Sequence, residues 1–550
     1  MAASDAALFS RAPLLAWVAA FVLHRALLLA FGFDGVFFWE EAYRLLAAEA
    51  LRDGWNIPVH DLQADPYSGG SLVYAVLAAL VTSITGSSLV VLKCIALAWN
   101  AAGLWLWLLV ADRVFGRPAA HALGLLWLAA PPVFLVFNLV AMGFHGDTVT
   151  LAGLQTLLLY RYLEDPRRSV AKLAAWMAVA GFSVWFSYAS ALTVAAGAGY
   201  ALLAGALPPR RWGAALAAFA AGFSPWIAHY LAADGSLEVL SRTFAGGDAP
   251  GAGYLARLFD LAVHGVPVAL YFRDIGIPGD VKLAREWLAY PYLAACAASF
   301  AALAAAFVRR FAEAQAPAPA GGGRLPRWRT AVLASPELAI VAVFPLFLVV
   351  LAASDQEFND YGTVRFFTFR VLVAALPSLF FAMALALARA PSRLRRVAVA
   401  GLGALGLVAT LQVVADGRAG LPAREAEARQ LGAEAMGHLL VVKHGTSPLV
   451  GERIAALPGE LRGRAWRGVG FNLAFLYGTQ RSAQPASELA DQLRAIDPLH
   501  RADGVEGARL AVGAGIDQVA GLPPSPRSDE LRAAVNRLAA AGADDPSKVE

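Results

Sequence analysis

Long uninterrupted blocks of apolar residues decide what this chain can fold into. A helix that crosses a bilayer needs about 20 mostly apolar residues, and eleven blocks of the 550-residue sequence come near that length. They occupy residues 12–33, 88–111, 118–140, 147–164, 169–187, 190–207, 212–232, 287–308, 336–353, 367–388 and 397–415. Because lipid offers no hydrogen-bond partner to an exposed backbone, segments of this length cross it as helices. We therefore predict an all-α polytopic membrane protein with eleven transmembrane helices.

Composition supports this class of protein. The chain is 58% hydrophobic and 16% charged, whereas soluble domains average about 25% charged residues. The net charge is +4, but the basic residues lie in short loops rather than on one face, so nucleic acid is not an expected partner. Cys94 and Cys296 both lie inside apolar blocks, and their spacing matches neither a disulfide framework nor a metal site.

The distribution of arginine predicts the orientation of the chain. The apolar segment 71–85 is short for a span, and we predict that it lies along the membrane surface. With a cytoplasmic N-terminus, the inner loops then contain these basic residues: Arg113, Arg117, Arg161, Arg167, Arg168, Lys172, Arg210, Arg211, Arg309, Arg310, Arg324, Arg327, Arg329, Arg389, Arg393, Arg395 and Arg396. The short outer loops contain only Arg365, in agreement with the positive-inside rule. We expect a multi-pass protein of the cell (inner) membrane.

Most of the polar sequence falls on the predicted outer side. A transmembrane domain covers residues 1–415 and includes two long outer loops, 34–87 and 233–286. Residues 416–550 are predicted to form an extracytoplasmic helical accessory domain, in which no nucleophile, phosphate-binding loop or metal cluster stands out. Since the bulk lies outside, we expect the protein to act there.

The first outer loop opens with the acidic pair of "FFWEEAYRLLAAEALRDGW". Residues 39–52 have apolar residues on one side and Gly54 as a stop signal, which predicts a helix too short to span. The segment 71–85 follows as a second surface helix. Glu40 and Glu41 therefore lie at the outer end of the first span.

This arrangement resembles the GT-C superfamily of integral-membrane glycosyltransferases, which includes protein O-mannosyltransferases and the aminoarabinose transferases of lipid A. Glu40, Glu41 and Tyr43 match the D-E-x-Y start of that family's first outer loop. A Y-x-G-G-S start to the second surface helix is matched by Tyr67 and residues 69–71. The resemblance covers roughly residues 10–390 and implies a GT-C-like fold.

The resemblance also implies a reaction. Such enzymes move a sugar from a polyprenyl-phosphate donor to a glycan, lipid or protein acceptor among the membrane lipids. A carboxylate can take the proton of the attacking hydroxyl, and an inverting transfer needs only one such base. Glu40 occupies the catalytic position and Glu41 is its neighbour. The family position is usually Asp, which leaves the choice between Glu40 and Glu41 open, and an acidic helix start stabilised by the helix dipole is the alternative.

The second outer loop, "MGFHGDTVTL", contributes His145 and Asp147. Family members often carry an acidic residue here that faces the first loop. With an acid of the first loop, these two residues could bind a divalent metal or hold the acceptor. The alternative for Asp147 is a helix N-cap.

The leaving polyprenyl phosphate needs positive charge nearby. Arg365 and Arg370 lie in a stretch that resembles the family's late R-[YF]-L-x-P element, and they are the predicted donor-phosphate ligands. Arg242, in the long loop, is a further candidate. An arginine whose head group reaches the lipid surface is the alternative for Arg370.

A transporter or flippase of lipids or glycans, without transferase activity, is the rival class. Transporters often show inverted repeats and helices broken at the midplane. The sequence shows no repeated half, and its unusual features lie at the predicted outer surface.

Overall fold

The computed structural model of the chain is all-helical in the residues that it describes. These are residues 12–33, 39–64, 68–143, 145–232, 253–270, 289–313, 327–353, 368–416, 420–445, 447–479, 486–513 and 526–544, and no β-strand occurs within these ranges. The predicted all-α fold class is confirmed.

The first half of the chain contains the elements that build the site. Helices α1 to α10 are Ala12–Phe31, Trp39–Asp53, Gly70–Thr85, Leu89–Phe115, Arg117–Leu128, Pro132–Phe137, Thr148–Leu163, Val170–Phe186, Ser190–Leu203 and Trp212–Ala232. The two surface helices, α2 and α3, begin and end within one residue of the predicted 39–52 and 71–85. Gly54 directly follows α2 and Gly86 directly follows α3, and both glycines have positive φ, as is common after helix ends.

The second half continues as helices. Helices α11 to α19 are Tyr254–Asp260, Val266–Leu270, Ala289–Glu313, Arg327–Leu333, Leu338–Val341, Val343–Ala353, Thr368–Val373, Leu376–Arg389 and Ser392–Asp416. Helices α20 to α25 are Leu421–His444, Leu449–Ala455, Gly459–Thr479, Ala486–Arg494, Arg501–Gly513 and Pro526–Asp544. Of the long loop 233–286, only residues 253–270 are described.

Six of the described helical segments are long and apolar enough to cross a membrane. They are Pro13–Phe31, Leu89–Phe115, Pro209–Leu231, Ala289–Glu313, Val371–Arg389 and Ser392–Ala415, and each corresponds to a predicted span. Val170–Phe186, Ser190–Leu203 and Leu338–Ala353 are shorter apolar helices at predicted positions. The chain is a multi-pass membrane protein, although the number of long helices is smaller than the eleven blocks suggested.

The predicted third span, 118–140, is not one continuous helix. It consists of α5 and α6, which are separated at Ala129–Pro131, and a short 3₁₀ turn, His145–Asp147, precedes α7. Pro131 and Pro132 cause the break, because a proline ring clashes with the preceding turn and removes a backbone donor. The predicted span 118–140 is therefore interrupted by a short non-helical stretch.

Side chains from other helices satisfy the carbonyls that this break leaves open. The Arg25 Nη2 atom donates to the Trp127 carbonyl oxygen over 3.1 Å and to Asn138 Oδ1 over 3.4 Å. The Tyr292 hydroxyl donates to the Ala129 carbonyl oxygen over 2.5 Å. Arg25 is fully buried, and its position at the C-terminal end of α5 is favourable for a positive charge.

The helix ends and the loops between them form two groups by their contacts, and we call these groups two faces. On the first, the site face (residues 68–71, 141–147 and 185–187), the Gly69 amide donates to the Trp185 carbonyl oxygen over 2.8 Å. On the second, the arginine face (residues 113, 164–168, 205, 310 and 335–337), Arg168 donates to the Gly205 carbonyl oxygen over 2.7 Å. The orientation that the arginine distribution predicts stays a prediction.

Helix α3 starts on the site face and ends beside the C-terminal end of α2. It begins at Gly70, beside the second loop. Just beyond its C-terminal end, the Ser87 hydroxyl accepts a hydrogen bond of 2.8 Å from Arg52 of α2. Its outer side chains are strongly exposed, with Ile84 at 88%. That the segment 71–85 lies along the membrane surface stays a prediction.

The helices after Asp416 pack closely on one another. A side chain at Gly437 would overlap the carbonyl oxygen of Ala465, and one at Gly507 would overlap that of Arg467. These glycines allow α20, α22 and α24 to approach closely. The same helices also pack on the first loop, since Met436 and Leu440 share one buried cluster with Tyr43 and Leu46. The predicted domain division at residue 415 stays a prediction.

Candidate functional site

Glu41 is a fully buried carboxylate held by three parts of the chain. It lies on α2, its Oε2 atom is 2.5 Å from Lys93 Nζ on α4, and its Oε1 atom accepts a 2.7 Å hydrogen bond from the Ala141 amide. Both charged side chains are at most 1% exposed. Burying two charges is costly unless they pair and their remaining atoms are hydrogen-bonded, and these contacts meet that requirement.

Arg44 lies three residues beyond Glu41 on the same side of α2. Its Nε and Nη2 atoms donate to the Met142 carbonyl oxygen over 3.1 and 2.8 Å, and the side chain is buried. A carboxylate and a guanidinium from one helix therefore hold two consecutive residues of the second loop.

Asp147 closes the same loop from its other end. Its Oδ1 atom accepts a 2.7 Å bond from the Tyr74 hydroxyl and a longer one of 3.4 Å from Asn100, and its Oδ2 atom accepts a 2.7 Å bond from the Gly143 amide. Helix α7 begins at Thr148, so Asp147 lies in the loop just before it, and its side chain makes no capping hydrogen bond to that helix. The N-cap alternative does not describe the contacts of this carboxylate.

Burial governs the electrostatics of Asp147. Burial, reinforced by the charge of Glu41, raises the pKa of Asp147 to about 7, although the hydrogen bonds from Tyr74, the Gly143 amide and Asn100 oppose the rise. A carboxyl group with a pKa near neutrality is typical of sites that handle protons.

The Gly-Gly-Ser start of α3 has a packing reason. A side chain at Gly70 would overlap the carbonyl of Gly143, and a side chain at Gly69 would overlap the indole ring of Trp185. The Ser71 hydroxyl accepts a 2.9 Å hydrogen bond from the Ala64 amide. These three positions let the first loop meet the second loop and the end of α8 without intervening side chains.

The structure leaves several predicted site residues without a described side chain. The side chains of Tyr43, Glu41 and Asp147 are described. Tyr43 is buried and donates a 3.0 Å hydrogen bond to the Asp61 carbonyl oxygen. For Glu40, His145 and Arg370, the structure describes the backbone but not the side chain. Those outside the described residues altogether are Tyr67, Arg242 and Arg365. Their roles stay predictions.

This cluster also contains the polar residues Lys93, Arg44 and Tyr74, which the family resemblance did not identify as site residues. Lys93 carries the clearest signal, because a lysine inside an apolar block needs a partner. Nothing in the spacing of residues shows that this partner is Glu41, which lies 52 positions earlier.

Asp61 forms a second ionic cluster where the first loop meets the C-terminal helices. Its carboxylate accepts hydrogen bonds of 2.7 Å from His444 and 2.7 Å from Arg453, and Lys443 donates to its carbonyl oxygen over 3.0 Å. Burial opposes ionisation of Asp61, but the bonds from His444 and Arg453 and the charge of Lys443 outweigh it and hold its pKa well below the ordinary range.

The contacts of Glu41 and Asp147 bear on the predicted divalent metal, which stays a prediction. Protein donors already engage both oxygen atoms of Glu41 and of Asp147. No group of three or more His, Cys, Asp or Glu residues that could hold a metal occurs among the described residues. These two carboxylates therefore serve to hold the first and second loops together.

The fold and the cluster together define a polytopic helical membrane protein in which two buried acidic residues, Glu41 and Asp147, hold the first and second loops. No family model matches the chain, and no curated protein matches it. Among solved structures, it is similar to ArnT from Cupriavidus metallidurans bound to undecaprenyl phosphate, with 16% identity and a TM-score of 0.44 over 94% of this chain and 78% of that one. It is also similar to the apo state of ArnT from the same organism, with 15% identity and a TM-score of 0.41 over 95% and 78% of the two chains.

Proposed function

We propose that this chain is a membrane glycosyltransferase that moves a sugar from a polyprenyl-phosphate donor to a glycan, lipid or protein acceptor at the outer face of the cytoplasmic membrane. The acceptor hydroxyl attacks the anomeric carbon, the bond from that carbon to the phosphate oxygen breaks, and polyprenyl phosphate leaves. A carboxylate takes the hydroxyl proton. The transfer inverts the anomeric configuration, since it uses a single displacement.

The observation that carries this proposal is the burial of Glu41 in contact with both Lys93 and the Ala141 amide. An ionised pair inside a membrane protein is expensive, and such residues usually mark functional sites. The pair ties the surface helix α2 to the second span and the second loop. The contacts of Glu41 thus bring α2, α4 and the second loop together, which supports a site shared by the two predicted outer loops.

The roles of the two acids follow from what already surrounds Glu41. Its oxygen atoms are engaged by Lys93 and Ala141, which suits a residue that orders the site. Glu40, its neighbour in sequence, is then the carboxylate proposed to accept the proton. Arg365, Arg370 and Arg242 remain the proposed ligands of the donor phosphate, because bidentate arginine contacts suit phosphate oxygens.

A transfer assay with the full-length protein in lipid nanodiscs tests the proposal. Wild type is incubated with a panel of polyprenyl-phosphate sugars, and release of polyprenyl phosphate, formation of product and the anomeric configuration of the product are measured. Glu40→Gln should lower kcat by about 10²–10⁴-fold if Glu40 is the base. Repeating the wild-type reaction after treatment with a chelator tests the predicted metal.

Asp53→Asn is the matched control, because Asp53 lies on the same helix and pairs at the surface with Arg52. It should retain wild-type turnover. Movement of a labelled donor between the leaflets of a vesicle, with no release of polyprenyl phosphate on any donor, would instead favour the flippase alternative. Unchanged turnover in Glu40→Gln would rule out Glu40 as the base, and unchanged turnover in Glu41→Gln as well would exclude the acidic pair from the reaction.

A further inference from the structure

The C-terminal helix α20 contacts the helix that carries the acidic pair with almost no space between the two backbones. An ideal Cβ atom built on Gly432 of α20 would lie 2.5 Å from the Ala42 carbonyl oxygen and 3.1 Å from Leu46 Cβ. Real Cβ atoms essentially never come within 3.0 Å of another heavy atom. Only glycine therefore allows α20 and α2 to lie at this separation.

The same side of α20 makes ionic contacts with the first loop. Arg429, three residues before Gly432, has its Nε atom 3.0 Å from Glu49 Oε2, and Glu49 is 3% exposed. One turn earlier, both oxygen atoms of Glu425 lie 3.0 Å from the Leu89 amide at the start of α4. Residues three to four apart share one face of a helix, so α20 presents a continuous stripe to α2 and α4.

This stripe lies directly behind the candidate site. Gly432 contacts Ala42, and the residue directly before Ala42 on α2 is Glu41. The Glu41 carboxylate accepts the hydrogen bond from the Ala141 amide. Leu89, which Glu425 caps, begins the helix that carries Lys93. Both partners in the buried ion pair are thus on helices whose positions α20 fixes.

We propose that α20 is a positioning element for the site and that Gly432 is its key positioning residue, setting the distance between Glu41 and the second loop. The kinetic part of this inference rests on the glycosyltransferase function proposed above; the structural part does not. A misplacement of about 1 Å at a reacting group can cost about 10²-fold in rate, so a contact outside the site can control turnover.

Two alanine substitutions on the same helix separate this role from general packing. Gly432→Ala places a methyl group against α2, whereas Gly437→Ala, five positions later, places one against the Ala465 carbonyl of α22 within the C-terminal region. Both overpack α20, but only the first one presses on the helix that carries Glu41. Arg429→Met is a third variant, which removes the contacts with Glu49 and with Glu460 without adding a clash, and it gives a second test if the Gly432 variant does not fold.

The readouts are hydrogen exchange and kinetics on the full-length protein. Amide exchange of residues 141–143 reports the bond from Ala141 to Glu41, independently of any activity. In Gly432→Ala we expect faster exchange at Ala141 and a fall of about 10- to 100-fold in kcat with the donor KM unchanged. Arg429→Met should move both in the same direction by less, and Gly437→Ala should lower only the melting temperature.

Each outcome decides one question. Unchanged exchange at Ala141 in a folded Gly432→Ala protein, or equal acceleration in Gly437→Ala, overturns the positioning role. The expected exchange pattern in a protein that transfers no sugar from any donor upholds the positioning role, while the proposed function fails.

Discussion

The Nζ atom of Lys93 lies 2.5 Å from Oε2 of Glu41, and neither side chain is more than 1% exposed. This pair joins helix α2 to helix α4, and both of its side chains are buried. Its partners fix how the first and second loops meet, so its disruption should be felt throughout the site.

Removal of Lys93 alone should be strongly destabilising, whereas removal of both Lys93 and the charge of Glu41 should be much less so. Lys93→Met leaves a buried carboxylate without its cation, which typically costs about 3–5 kcal/mol. The double variant Glu41→Gln with Lys93→Met removes both charges and should recover much of that loss. Thermal unfolding in detergent measures both effects. Arg113→Met, which breaks an exposed pair with Glu164, should cost only about 0–1 kcal/mol. Additive losses in the double variant would contradict the coupling.

Stability should depend on pH through Asp147. Its pKa in the folded chain is about 7, against an ordinary value of 3.8, so between these values the folded state holds a proton that the unfolded state has lost. Stability should therefore fall as the pH rises through this range and level off above it. Tyr74→Phe removes a hydrogen-bond donor that lowers the pKa of Asp147. The stability of this variant should therefore continue to fall up to a higher pH than that of wild type.

Melting temperatures of wild type, Tyr74→Phe and Asp147→Asn across this range test that dependence. Asp147→Asn cannot titrate, and its profile should lack the fall. If all three profiles coincide, Asp147 does not titrate as its burial implies.

Asp61→Asn should weaken the contact between the first loop and the C-terminal helices. It removes the carboxylate that His444 and Arg453 contact at 2.7 Å each, and hydrogen bonds to charged groups contribute about 1.5–3 kcal/mol. Because the pKa of Asp61 is depressed, its contribution is present above the ordinary value of 3.8 and is lost as the pH falls through the lower folded value. Limited proteolysis between the first loop and α20 measures the loosening, and Asp53→Asn should show none.

Gly70→Ala should be far more harmful than an alanine at an open glycine. The new methyl group would meet the Gly143 carbonyl, and overpacking of this kind costs about 1–3 kcal/mol or more. A Cβ atom at Gly199 on α9 would have no neighbouring atom within 4 Å, so Gly199→Ala should be tolerated. Unfolding temperatures of the two variants give the comparison, and equal shifts would show that the Gly70 contact is not tight.

Local sequence signals were sufficient for the elements but not for their partners. The two surface helices could be located because their length, apolar side and following glycines are all local properties. The break of the third segment at Pro131 and Pro132 was obscured by apolar residues on both sides, which made the block look continuous. The partner of Lys93 could not be read from the chain, because charge pairing over 52 positions depends on tertiary packing.

The same limit applied to the C-terminal region. Its helices were expected from periodicity, yet the contact of Gly432 with Ala42 joins residues almost 400 positions apart, and the Asp61 cluster joins the first loop to residues 443–453. Glu40, His145 and the three candidate arginines remain predictions from the sequence alone.

The interrupted third segment has a consequence for biosynthesis. Its open carbonyls are satisfied by Arg25, which is made before it, and by Tyr292, which is made more than 150 residues later. An unsatisfied backbone oxygen away from water is costly, and the Ala129 carbonyl gains the Tyr292 hydroxyl only once the helix bearing Tyr292 has been made. The final packing of the third segment is therefore completed well after its own translation.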